Sequence, residues 1–137
     1  MGDRIKVTIV VEKELPIVWE TWTRPEHITK WNFASDDWEC PSVSIDLKEE
    51  GTFSYRMDAK DKSTGFDFSG TFTRIETEKN IEYILEDGRK VSVEFSIKGD
   101  GTKVLESFDP DQEFSRDLQE QGWLAILENF KKYTESI

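Results

Sequence analysis

Residues 81–108 read IEYILEDGRKVSVEFSIKGDGTKVLESF. Apolar side chains recur at every second position: Ile81, Tyr83 and Leu85, then Val91, Val93, Phe95 and Ile97, with Ser92, Glu94, Ser96 and Lys98 between the latter four. A period of two marks strands with one buried and one wet face. Two glycine-bearing breaks, Asp87-Gly88 and Asp100-Gly101, divide the stretch into three strands, which reads as an antiparallel meander. Register decides which side chains share a face. A two-residue turn at Asp87-Gly88 opposes Ile84 to Val91 and separates Tyr83 from Val93. A three-residue loop, 86–88, with Gly88 left-handed in a bulge, opposes Tyr83 to Val91 and Ile81 to Val93, and this is the expected register. At Asp100-Gly101 a two-residue turn opposes Ile97 to Val104, Phe95 to Glu106 and Val93 to Phe108. Glu106 then points inward.

The same period extends upstream. Val43, Ile45 and Leu47 form one alternating set, Phe53, Tyr55, Met57 and Ala59 a second, and Phe66, Phe68, Gly70 and Phe72 a third. With the strand at 4–12, where Ile5, Val7, Ile9 and Val11 share a face, the count reaches seven. Between the first strand and the meander the period changes to helical. Pro16 opens a helix over 15–23 carrying Val18, Trp19 and Trp22. Thr23 and Glu26 make a capping-box pattern for a second short helix with Pro25, Ile28 and Trp31. The last and longest helix is expected over 112–136, with Asp109-Pro110 as its start signal. Leu118, Gly122, Ile126, Phe130 and Tyr133 lie on one of its faces, flanked by Trp123 and Leu127; Glu120, Gln121, Glu128, Lys131 and Lys132 lie opposite. Ser115 and Gln119 fall in the middle of the apolar stripe. Polar groups there imply a gap between helix and sheet.

Composition closes several classes. The chain has 137 residues, enough for one domain whose core needs no disulfide or structural metal. Its formal charge of −11 repels phosphate backbones and anionic lipid, so neither nucleic acid nor a membrane surface is an expected partner. No apolar run reaches bilayer length, and residues 1–6 do not read as a signal peptide because charge begins at Asp3; a cytoplasmic, monomeric protein is the expectation. A lone Cys40 and a lone His27 exclude zinc-finger sets, Cys/His nucleophile pairs and redox Cys-x-x-Cys motifs. Cys40, before Pro41, reads as a plain buried thiol and His27 as a structural residue. No GxGxxG, Walker loop, GxSxG or HExxH occurs. No catalytic residue, metal ligand or cofactor is assigned.

Several stretches together resemble a known family. They are Val18-Trp19-Glu20-x-Trp22-Thr23-x-Pro25-Glu26-His27, Trp31-Asn32-x-Ala34-Ser35-x-Asp37-Trp38, Met57-x-Ala59-Lys60-Asp61, Gly65-Phe66-Asp67-Phe68-x-Gly70, Asp87-Gly88-Arg89 and Gly122-Trp123-x-Ala125-Ile126-Leu127 through Phe130-Lys131-Lys132-Tyr133. From about Leu15 to Tyr133 the chain resembles the START-like, SRPBCC superfamily. Within it, the match is to the bacterial group similar to the carboxy-terminal domain of the activator of the ninety-kilodalton heat-shock protein ATPase. The resemblance implies an α+β helix-grip fold, like that of the birch-pollen allergen, as a single START-like domain over residues 1–137. A curved antiparallel sheet of about seven strands would wrap the long carboxy-terminal helix, leaving a cavity that in relatives takes apolar molecules. Two departures, Asn32 where members often have Trp and Glu50-Gly51 for a common Gly-Gly, would fall at the cavity mouth.

On this reading Trp31 from the second short helix, Phe53, Tyr55, Phe66, Phe68, Phe72, Tyr83, Phe95 and Phe108 from the sheet, and Trp123, Ile126 and Phe130 from the last helix supply an apolar lining. Ser115, Gln119 and Glu106 are its orienting polar groups. Aromatics at strand spacing are also ordinary core, so Glu106 is the informative residue: a desolvated carboxyl is costly unless paired or hydrated. The loop 32–39, with Asp36 and Asp37, is read as solvated, with Trp38 folded onto the core. The leading expectation is a binding module for a small, mostly hydrophobic molecule. A chaperone contact, implied by the resemblance alone, is the second, and a cyclase- or hydrolase-like enzyme using Glu106 as acid or base the third.

Overall fold

The structure, a computed structural model, describes residues 4–137. The expectation resting on Asp3 therefore lies outside the described residues. In chain order the elements are β1 (Ile5–Val11), α1 (Leu15–Thr23), α2 (Pro25–Trp31), β2 (Trp38–Ile45), β3 (Thr52–Ala59), β4 (Gly65–Glu76), β5 (Asn80–Leu85), β6 (Lys90–Lys98), β7 (Gly101–Phe108) and α3 (Arg116–Glu135). All strand pairs are antiparallel, in the order β1-β7-β6-β5-β4-β3-β2. The sheet curves into a half-barrel around α3. This is the helix-grip arrangement anticipated above.

The β5–β6 register is the expected one, Tyr83 opposite Val91 and Ile81 opposite Val93, with Gly88 at φ +91°. The β6–β7 register differs. Lys98 pairs with Gly101, Phe95 with Val104, Val93 with Glu106 and Val91 with Phe108. The turn is therefore Gly99-Asp100, with Gly99 at φ +59°, the first turn position that type II′ hairpins reserve for glycine. Because the displacement is two residues, face parity is kept and Glu106 still points inward. Gly101 is required for another reason: a Cβ there would stand 2.5 Å from the Val11 carbonyl oxygen of the neighbouring strand.

Three helix signals resolve differently from the sequence reading. Thr23 does not cap α2; its hydroxyl donates back to the Trp19 carbonyl at 2.8 Å, and Arg24 is the shared boundary of α1 and α2. A buried hydroxyl at a helix end takes the carbonyl already within reach. Helix α3 starts at Arg116, not 112, because Ser115 is its N-cap and accepts from the Leu118 amide at 3.1 Å. Asp109 instead prolongs the hairpin, its amide donating to the Lys90 carbonyl and its carboxylate accepting from the Lys90 amide. The buried stripe of α3 is accordingly turned: Gln119, Leu127, Phe130 and Thr134 face in, while Leu118 is 58% exposed.

The two short helices fasten α3 to the sheet. Trp22 lies 4.9 Å from both Trp31 and Phe130 and 5.9 Å from Phe95, with Trp31 to Phe130 at 4.8 Å. The Trp31 indole donates to the Thr21 carbonyl, Asn129 donates to the Trp31 carbonyl, and His27 Nδ1 meets the Tyr133 hydroxyl at 2.8 Å. His27 thus ties α2 to α3.

Glycine substitutions separate these packing roles. Gly101→Ala should lower unfolding free energy by about 1–3 kcal/mol, the range for forcing atoms into occupied space. Gly122→Ala, in α3 with no atom within 4 Å of the added methyl, should raise it by about 0.5–1 kcal/mol. Urea denaturation of the two variants checks both signs.

Candidate functional site

Phe130 and Asn129 pin the carboxy-terminal half of α3, and a cavity of about 450 Å³ lies between Gln119, Trp123 and Ile126 of α3 and the sheet. Trp22, Trp31 and Asn32 wall it from the α1–α2 side, Tyr55 and Met57 from β3, Phe66 and Phe68 from β4, and Glu106 from β7. Gln119, Trp123 and Ile126 close it from α3, and Arg89, Asp111 and Phe114 from the connections flanking β6 and β7. Phe66 and Phe114, 49% and 55% exposed, stand at its mouth, and Trp38 packs edge-on against Phe66 at 5.9 Å. A wider depression of about 840 Å³ lies along the outer face of β3–β5 among Ser44, Ser54, Ser69 and Thr71; it contains no buried ionisable group.

Glu106 gives the cavity its chemistry. It is 5% exposed, and among the described residues its carboxyl has no hydrogen-bond or ion-pair partner. Its strand neighbours are Val93 on β6 and Val7 on β1. Removal from water with nothing to stabilise the charge pushes its pKa up to about 8. Burial, and then the nearby acids, likewise hold the Tyr55 and Tyr83 hydroxyls above their ordinary value. The one guanidinium on the wall, Arg89, is committed to Asp87, Nε to Oδ2 at 2.8 Å.

Gln119 is buried at the expected place, but its amide is spent locally. Its Oε1 accepts from the Asp111 amide at 2.7 Å, and its Nε2 donates to the Asp111 and Phe114 carbonyls at 2.9 and 3.0 Å. It is a staple holding residues 111–115 over the cavity. The Asn32 side-chain amide donates to two sulfurs, Met57 Sδ at 3.4 Å and Cys40 Sγ at 3.9 Å. Cys40 is 2% exposed, and burial raises its thiol pKa.

Of the residues named from sequence, Trp31, Tyr55, Phe66, Phe68, Glu106, Gln119, Trp123 and Ile126 line the cavity. The others are elsewhere. Phe53, Phe72 and Tyr83 form an adjoining aromatic cluster, with Phe53 to Phe72 at 5.0 Å and Phe53 to Tyr83 at 4.9 Å. Phe95 packs on Trp19 and Trp22, and Phe130 on Trp22 and Trp31. Phe108 lies stacked on Trp123 at 3.9 Å, one layer from the void. Ser115 is an exposed N-cap. Sequence reasoning missed Trp22, Met57, Arg89, Asp111 and Phe114 on the wall. Met57 carried a signal, sharing the alternating face of Tyr55. Phe114 carried none once it was read as helical. Asn32 does border the cavity, whereas Glu50-Gly51 lies in the β2–β3 connection, where Glu50 holds φ +69°.

A family model described as Activator of Hsp90 ATPase homolog 1-like protein matches residues 15–135. The chain belongs to this family. The AHSA1-like protein of Aeromonas hydrophila, solved in solution, is 42% identical with a TM-score of 0.89, over 96% of this chain and 93% of that one. Chr148 of Cytophaga hutchinsonii is 46% identical with a TM-score of 0.86, over 98% and 94%. NE0264 of Nitrosomonas europaea, at 18% identity and a TM-score of 0.83 over 98% and 95%, shares the fold. No curated protein matches the chain. The AHSA1-like family is, in general terms, one of ligand-binding or interaction domains. Among the described residues no helix is long and apolar enough to cross a membrane, and no cluster of His, Cys, Asp and Glu is placed to hold a metal ion.

Burial of Glu106 should be readable in stability. The carboxyl titrates at 4.5 when unperturbed and at about 8 in the fold, so between those values the folded chain keeps a proton that the unfolded chain has lost. Its contribution is therefore intact below the lower value and declines as pH rises to the upper one. Relative to Glu106→Gln, the wild type should lose stability from about pH 5 to 8, by up to about 1.4 kcal/mol per pH unit. Thermal denaturation of both proteins across that range tests this; a pH-independent difference would mean a hydrated carboxyl.

Proposed function

We propose that the chain, acting as a single monomeric cytoplasmic domain, binds a small, mostly apolar molecule in the cavity between the sheet and α3. The observation that carries this reading is the combination of an aromatic-walled void with one partnerless buried carboxyl. Ligand cavities are concave, predominantly apolar, roughly 300–1,000 Å³, and hold few polar groups. A void of about 450 Å³ falls in that range. A carboxyl kept in such a place works against stability, and a guest that engages it would offset that cost. Gln119, by tying residues 111–115 to the first turn of α3, would keep Phe114 at the rim while the interior stays open to a guest.

N-phenyl-1-naphthylamine, a neutral apolar fluorophore, is a suitable probe. It should gain fluorescence on binding and shift amide resonances of Tyr55, Phe68, Trp123 and Ile126. Ile126→Trp, which fills the void, should weaken binding by about tenfold or more, equivalent to about 1.4 kcal/mol. Shifts confined to the outer face of β3–β5, or none at saturating probe, would overturn the proposal.

A further inference from the structure

The wall of the cavity carries more information than its apolarity. Two acids border it, Glu106 and Asp111, and one base, Arg89. The base is already paired with a third acid, Asp87, at 2.8 Å, so among the described residues the cavity has no free cation to set against Glu106. The same cavity is lined by the rings of Trp22, Trp31, Tyr55, Phe68 and Trp123. Aromatic π-faces attract cations, most strongly when water is excluded. The net charge of −11 also raises the local concentration of cations and lowers that of anions.

A neutral guest needs only a neutral hydrogen-bonding group, and the Tyr55 hydroxyl, which has no partner among the described residues, already offers one. What Glu106 adds is the capacity to carry a full negative charge. A buried charge is tolerated when a partner of opposite sign meets it in good geometry. Among the described residues none supplies such a partner, and a cationic guest would.

Resting on the proposed ligand-binding function, we infer that the guest is a lipophilic organic ammonium, an amine-bearing molecule with an apolar body, whose positive charge is met by Glu106 among the rings of Trp22, Trp31, Tyr55 and Trp123. Binding then moves a proton. Below the pKa of the free cavity Glu106 is a neutral acid; an incoming ammonium stabilises the carboxylate, and the carboxyl proton leaves to solvent as the ion pair forms. Ammonium affinity therefore rises with pH up to about 8 and then levels. The titratable and charged groups facing Glu106 are Tyr55 of β3, Tyr83 of β5, Arg89 before β6 and Asp111 after β7; its neighbours on β1 and β6, Val7 and Val93, are uncharged. Both tyrosines stay neutral throughout this range, so Glu106 is the proton source.

Calorimetry with three matched compounds tests the inference: 1-naphthylmethylamine, 1-naphthylmethanol and 1-naphthoate. The amine should bind wild type at least about tenfold tighter than the alcohol, in keeping with measured couplings of close buried charge pairs. Its affinity should rise from pH 6 to 8 with proton release, seen by comparing buffers of different ionisation heat. Glu106→Gln, verified as folded by its thermal transition, should abolish the preference and the proton release while still binding the alcohol. Equal or tighter binding of the alcohol or naphthoate by wild type, or an amine preference that survives Glu106→Gln, overturns the cationic guest and leaves the apolar cavity standing. Failure of all three compounds to bind overturns the cavity reading and this inference together.

Discussion

One packing constraint governs the rest: α3 is tied to the short helices and the sheet by an aromatic knot at its carboxy-terminal half, and the cavity lies along its amino-terminal half. Trp22, Trp31 and Phe130 meet at 4.8–4.9 Å and fix its carboxy-terminal half to the two short helices and the sheet. Aromatic contacts of this kind contribute beyond simple area burial, and the knot is further tied by the Asn129 to Trp31 and His27 to Tyr133 hydrogen bonds. Toward its first turns α3 rests on the Trp123–Phe108 stack, and Trp123 also borders the cavity. Space is left where a fully packed domain would have placed carbon.

That space determines what each polar group can do. Glu106 would be an ordinary strand residue on the outer face; inward, between Val7 and Val93, it is 5% exposed and has no hydrogen-bond or ion-pair partner among the described residues. Gln119, also inward, has the opposite fate, since the 109–115 connection passes close enough to satisfy both ends of its amide. Two polar residues from neighbouring elements thus take different roles because of the backbone within their reach. One secures the rim and the other stays reactive to whatever enters.

The sheet was legible in the sequence because period-two alternation is set by burial on one face and tolerates local error. The two-residue displacement at β6–β7 changed the β6 partner of Glu106 from Phe95 to Val93 yet left it inward, since register shifts of even length preserve the face. The start of α3 was less legible. Asp109-Pro110 has the composition of a helix start, but Asp109 found the Lys90 backbone across the hairpin, and Ser115 capped the helix instead. Phe114 and Asp111 therefore became rim residues that a helical reading of 112–136 had hidden. Division of the aromatics between void and core was not legible either. Phe108, Phe95 and Phe130 share the inward parity of Tyr55 and Phe68 or the inner stripe of α3, and only the way α3 packs on the sheet decides which of them touches empty space.

Titration of the Glu106 side-chain carboxyl by carbon-13 NMR in the free protein is the most direct test. A midpoint near 8 is expected, reporting a carboxyl desolvated by burial without a counter-charge. An ordinary midpoint near 4.5 would contradict it, because the carboxyl would then be hydrated or paired and the cavity would lack its defining group.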